Sequence, residues 1–149
     1  MKYLWAAHKK GDLEKIGFEP SGDPETFAEE VQQFALQNYD AGWVMLAPTS
    51  RGVIPVGATF GMVAGPMMLI GDFTWFSWAS GRNILEATAT FFRVTREKMV
   101  SIMYVGSKDS DYANYLKDVG LIRPVGKLHD VMDEPVTLFQ TKRAQPWAN

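Results

Sequence analysis

Ser80-Gly81-Arg82-Asn83 lie between an apolar stretch, Asp72 to Trp78, and an amphipathic stretch that begins at Asn83. A strand that turns into a helix through a short Ser-Gly link aims several free backbone N–H groups at one point, the positive end of the helix dipole. The chemistry of such a junction is anion binding, suited to a phosphate or pyrophosphate. Arg82 supplies a charged donor beside it. A strand-to-helix turn also needs small residues for purely steric reasons, so Ser80-Gly81 equally serves as a plain turn.

Other chemistry is scarce. The chain has no cysteine, which removes thiolate nucleophiles, thiolate metal sites and disulfides together. His8 and His129 are the two histidines, too few for a histidine-rich metal site, and no metal ligands are assigned. His129 and Asp130 are neighbours on an extended segment, so their side chains point to opposite faces, and a solvated or capping role fits His129. No His-Glu-x-x-His or Gly-x-Ser-x-Gly motif occurs. Gly120 to Lys127 is one residue too long for a phosphate loop, and Leu128 replaces its Ser or Thr.

A chain of 149 residues that is 46% hydrophobic and 21% charged fits one folded domain, 1–149, with 143–149 as a C-terminal tail. A net charge of −2 argues against a nucleic-acid-coating surface. Met1 to Lys10 lacks the apolar core of a secretory signal. Gly52 to Gly71 is uncharged over twenty residues, a membrane-spanning length. Its five glycines and two prolines would cost a helix roughly 10 kcal/mol relative to alanine, so the stretch predicts buried strands broken by turns, and no membrane.

Residues 1–18 fit either a helix, from the spacing of Leu4, Trp5 and His8, or an edge strand over Tyr3 to Ala7. Asp23-Pro24-Glu25 predicts a capped helix start, and Phe27, Val31, Phe34, Ala35 and Asn38 continue it to about Tyr39. Strands follow at 43–47, 53–56, 58–64 and 67–78. Ile84, Leu85, Ala87, Thr88, Phe91, Phe92 and Thr95 mark a helix with one buried face. Residues 100–105 predict a central strand, and 107–110 a loop. Tyr112, Tyr115, Leu116 and Val119 predict the inner face of a short helix closed by Gly120. Strands at 122–130 and 136–141 close the chain around the turn 132–135. This order predicts a mixed α/β (α+β) sheet with helices on both faces.

The element order, the strand–turn–helix at 72–83, and the segment Tyr112-Ala113-Asn114-Tyr115-Leu116-Lys117-Asp118-Val119-Gly120-Leu121-Ile122-Arg123-Pro124-Val125-Gly126 together resemble the GNAT superfamily of N-acetyltransferases. The likeness spans about residues 23–142 and is clearest from Gly71 onward. It implies a mostly antiparallel central sheet, acetyl-CoA as cofactor, and acyl transfer to an amine by direct attack. Carried onto this chain, Phe76, Trp78, Ser80, Gly81, Arg82, Asn83 and Ile84 would contact the cofactor. Tyr115 or Tyr112 would be the general acid, and Asp72 is the nearest acidic candidate for a base.

The chain departs from the family pattern in three places. The pyrophosphate loop, Gln/Arg-x-x-Gly-x-Gly/Ala, read from Arg82 meets Leu85 at its first glycine. Read with Gly81 as that glycine, it meets Trp78 and Asn83 at its ends. Four residues before Gly120 stands Leu116, with Tyr115 one position early, about 100° around the helix. No asparagine follows the strand at 100–105 between Gly106 and Ser110. Residues 75–86 also resemble GNAT-like proteins of tailed bacteriophages. That likeness implies a second function, a non-catalytic structural or assembly protein of a phage particle with protein partners. The location would be the cytoplasm, of the host if phage-encoded, or the virion.

Overall fold

The computed structural model describes residues 1–106, 110–129 and 133–142. Its helices are α1 (Lys2–Lys9), α2 (Phe27–Asn38), α3 (Gly81–Thr95) and α4 (Ser110–Asp118), with a short 3-10 turn at Glu14–Ile16. Its strands are β1 (Ala41–Thr49), β2 (Gly52–Ala64), β3 (Met67–Trp75), β4 (Val100–Val105), β5 (Ile122–Leu128) and β6 (Val136–Thr141). The strand order is β1-β2-β3-β4-β6-β5. β1–β2, β4–β6 and β5–β6 are antiparallel, and β3–β4 is parallel. This is the mixed, mostly antiparallel α/β architecture expected. The chain forms two compact units, Met1–Met62 with Gly71–Ala87, and Val63–Ile70 with the described residues from Thr88 onward.

In the first unit, residues 2–9 take the helical alternative. Ala7, Leu13, Phe18, Phe27 and Phe76 are its buried apolar cluster, with Leu4, Trp5, Val31, Phe34 and Trp78 packed against them. α2 starts at Phe27, three residues later than the Asp-Pro signal indicates. Asp23 instead caps a preceding turn, its Oδ1 accepting the Glu25 N–H at 2.9 Å, and Phe27 N–H reaches the Asp23 carbonyl.

β1 lies at the edge of the strand order, and its residues 42, 44, 46 and 48 are exposed. β2 runs unbroken through Pro55, where two shorter strands were expected. The register slips from Met45↔Gly57 to Leu46↔Pro55, leaving Val56 as a bulged residue, and the bulge absorbs a proline that has no N–H to give. Gly57 permits the close approach of β3. A Cβ there would lie 2.6 Å from the Thr74 carbonyl oxygen and 2.6 Å from the Trp75 ring.

The segment 52–71 is therefore β2, the Gly65-Pro66 turn and the start of β3. No helix among the described residues is long and apolar enough to cross a membrane. β3 ends at Trp75, three residues before the expected limit, because Ala79 N–H turns back to the Phe76 carbonyl at 2.8 Å.

In the second unit the parallel ladder has three pairs, Met67↔Val100, Met68↔Ser101 and Leu69↔Ile102. Thr141 Oγ1 accepts the buried Ser101 N–H at 2.8 Å and so ties β6 to β4. α3 buries Ala87, Thr88, Phe91, Phe92 and Thr95 as its spacing predicts, while Ile84 and Leu85 are half-buried. On α4 the buried positions are Ala113 and Leu116, one turn apart. Val119 falls in the turn after the helix and is exposed, not on the inner face expected for it. Gly120 closes that turn at φ 76°. The tail 143–149, residues 107–109 of the expected loop and Met132 of the expected turn lie outside the described residues.

Candidate functional site

The first unit brings Phe76, Trp78, Ser80, Gly81, Arg82, Asn83 and Ile84 together as one bend between β3 and α3. Its apolar half is locked into the core. Phe76 is fully buried and donates its N–H to the Val56 carbonyl at 2.9 Å. The Trp78 indole Nε1–H donates to the Pro55 carbonyl at 2.8 Å, and its ring lies 5.0 Å from that of Phe76. The two carbonyls at the β2 bulge thus hold the bend. A third tie comes from Asp12, whose buried carboxylate accepts the Ser77 N–H at 2.8 Å and stands 3.6 Å from Lys15 Nζ.

The polar half is built by local hydrogen bonding. Ser80 Oγ accepts the Asn83 N–H at 3.1 Å, and Asn83 Oδ1 accepts the Ser80 N–H at 3.2 Å. This is a reciprocal cap with Asn in the place usually taken by Glu or Gln. Ile84 N–H begins the helical series on the Ser80 carbonyl at 3.0 Å. The cap spends the Asn83 amide, and the Gly81 and Arg82 N–H groups have no hydrogen-bond partner among the described residues. Both residues are exposed, and a Cβ built on Gly81 meets nothing within 4 Å. The helix start is open, and Trp78 is turned into the core at the opposite end of the bend.

Arg82 points along the helix. Its Nε donates to Glu86 Oε1 at 2.8 Å, and that hydrogen bond and the Glu86 charge raise the guanidinium pKa above its ordinary value. Arg82 is well exposed, so this pair is a surface i,i+4 contact from which the side chain is free to swing.

Tyr112 and Tyr115 sit three residues apart on α4 in the second unit, both half-buried. In the same unit, a recess of about 240 Å³ is lined by Asn114, Gly106, Lys127, Thr137 and Phe139, with Val105 and Pro135, and by neither tyrosine. Asp72 belongs to β3, and its side chain is outside what the structure describes. No group of three or more His, Asp or Glu side chains able to hold a metal occurs among the described residues.

Sequence reasoning missed Asp12 and the Pro55 and Val56 carbonyls. Asp12 had no local signal, because its partner Ser77 is 65 residues away. Pro55 carried one: a proline in an otherwise apolar strand marks a bulge, where a carbonyl is released to other donors.

No protein-family model matches the sequence, and no curated protein matches it. Solved structures do match in fold. A spermidine N-acetyltransferase chimera from Vibrio cholerae and hSSAT superposes with a TM-score of 0.63 at 8% identity, over 95% of this chain and 90% of that one. A probable acetyltransferase (GNAT family) from Chromobacterium violaceum gives 0.59 at 16% identity, over 93% and 75%. The ribosomal-protein-S18-alanine N-acetyltransferase from Escherichia coli gives 0.58 at 6% identity, over 79% of each chain. At these identities the likeness is one of architecture, and the chain has the GNAT fold.

Proposed function

We propose that this chain binds an acyl-CoA thioester at the start of α3 and passes the acyl group to an amine. The observation that carries this reading is the open helix start, where the Gly81 and Arg82 amides face solvent at the positive end of a fifteen-residue helix. Such a terminus favours a pyrophosphate, and glycine at its first position lets phosphate oxygens reach the backbone. The GNAT fold is the second support. When bound, the thioester supplies an activated acyl group. The chain's own part is to donate the two amides and the Arg82 guanidinium to the anion and to hold the bend rigid through Pro55, Val56 and Asp12. Tyr115 or Tyr112 would keep a phenolic proton for the departing group.

The test is thermal melting with millimolar acetyl-CoA, since a ligand that binds only the folded state raises its melting temperature. Wild type is expected to gain several degrees. Gly81→Glu is expected to fold normally, because its Cβ enters open space and an acid suits a helix start, yet to lose the shift by charge repulsion. An equal shift in Gly81→Glu, or none in wild type, would remove this reading. Release of free thiol with a panel of primary amines, compared in Tyr115→Phe and Tyr112→Phe, then separates binding from transfer.

A second reading is a non-catalytic assembly module, the role that the phage-like segment implies. Its support is Leu85 in place of a loop glycine together with exposed Val44 and Leu46 on the edge strand. Self-association by light scattering without any acetyl-CoA shift would favour it.

A further inference from the structure

A second recess lies wholly inside the first unit, and its walls share an apolar cluster with Phe76 and Trp78. It measures about 180 Å³, and no charged, hydroxyl or amide side chain lines it. Leu4, Leu13 and Ile16 form one wall, Val31 and Phe34 of α2 another, and Ala58 and Phe60 of β2 the floor. Gly42 and Val44 of β1 are exposed, so the recess reaches the surface at the sheet edge. Gly42 keeps that edge clear, since a Cβ there would press on the Phe60 ring at 3.1 Å.

Apolar side chains that line an open recess of this size lack packing partners on one side. A dry apolar cavity of about 150 Å³ is large enough to take up benzene. Four of the lining residues, Phe18, Phe34, Trp43 and Phe60, are aromatic. Phe18 and Phe34 lie 5.0 Å apart, and Phe34 meets Phe60 edge-to-face at 6.5 Å. An aromatic guest extends this chain of tilted rings, whereas a charged guest finds no partner. We infer that the recess is a binding site for a compact, uncharged aromatic group of about one ring. None of the residues that line it would touch the thioester, so the inference does not rest on the proposed function.

The experiment is melting of the full chain in benzene or toluene, with benzoate as the charged control. Benzene and toluene are expected to raise the melting temperature by about 4 °C at ten times their dissociation constant, and benzoate to leave it unchanged. Ala58→Met, which fills the recess from β2, is expected to abolish the benzene shift. Val31→Phe fills it from α2 and serves if Ala58→Met does not fold. Intermolecular NOEs from benzene to the Val31 methyls give a direct readout. No shift in wild type, an equal shift with benzoate, or a benzene shift that survives both fillings overturns the site. A dimer that benzene dissociates would show that a second copy fills the recess, and also overturns it.

Discussion

Trp78 and Pro55, 23 residues apart, are joined by a 2.8 Å hydrogen bond from the indole N–H to a carbonyl that the β2 bulge leaves available. The proline that disturbs one strand thereby anchors the end of another. Trp78→Phe keeps the ring contact with Phe76 and removes the donor. It is expected to cost about 1–2 kcal/mol, read as a melting temperature lower by roughly 3–6 °C.

Asp12 holds the same bend from the other side. Asp12→Ala leaves the Ser77 N–H without its carboxylate and is expected to cost about 2–3 kcal/mol in chemical denaturation. Asp12→Asn retains an acceptor oxygen and is expected to recover part of the loss. Lys15→Ala, which removes only an exposed partner, is expected to change stability by well under 1 kcal/mol.

Gly57 of β2 lies against Thr74 and Trp75 of β3. Gly57→Ala places a methyl within 2.6 Å of backbone oxygen and indole carbon, so a strand must shift. The expected destabilisation is about 1–3 kcal/mol, measurable by denaturant midpoint. Gly81→Ala, with open space around its Cβ, is the matched control and is expected to leave the midpoint unchanged or raised.

Glu30 gathers the loop that precedes α2. The Ser21 hydroxyl donates to its carboxylate, as do the Ser21 N–H at 3.1 Å and the Thr26 hydroxyl at 3.2 Å. The Ser21 hydroxyl is the largest cause of a Glu30 pKa below the ordinary 4.5, with smaller help from the Ser21 N–H, Thr26 and the His8 charge against a desolvation that opposes it. A depressed carboxyl pKa stabilises the fold fully above its unfolded value and loses that effect as pH falls through the folded value. The melting difference between wild type and Glu30→Gln is therefore expected to be constant above about pH 5. It should shrink toward zero on acidification below pH 4.

The second half of the chain was the more legible in sequence. Residues 100–105 and 136–141 form the strands expected at those positions, and Gly120 closes α4, because alternation and a left-handed glycine are local signals. The start of α3 was readable to within two residues: the helix was expected from Asn83 and begins at Gly81, because Ser80 and Asn83 cap it reciprocally. Residues 1–18 were not, since Leu4 and Trp5 suit a strand or a helix, and burial against Phe27 and Phe18 decides. Continuity of β2 was hidden as well: proline reads as a break, and only pairing with β1 turns it into a bulge. For the candidate site, the turn at 80–84 was visible, whereas the groups that brace it come from Asp12 and the β2 carbonyls, distant in the chain.

The outermost strand carries one more consequence, for handling the molecule. Nine residues from Ala41 to Thr49 contain no charge, and Pro48 is the sole imino acid among them. Strands of this kind usually bear lysines or kinks that discourage addition of foreign chains. Refolding at high concentration should therefore yield oligomeric aggregates seeded at this border. A lysine in place of Val44, an exposed position, should restore monomeric recovery while leaving the native melting temperature within a degree or two.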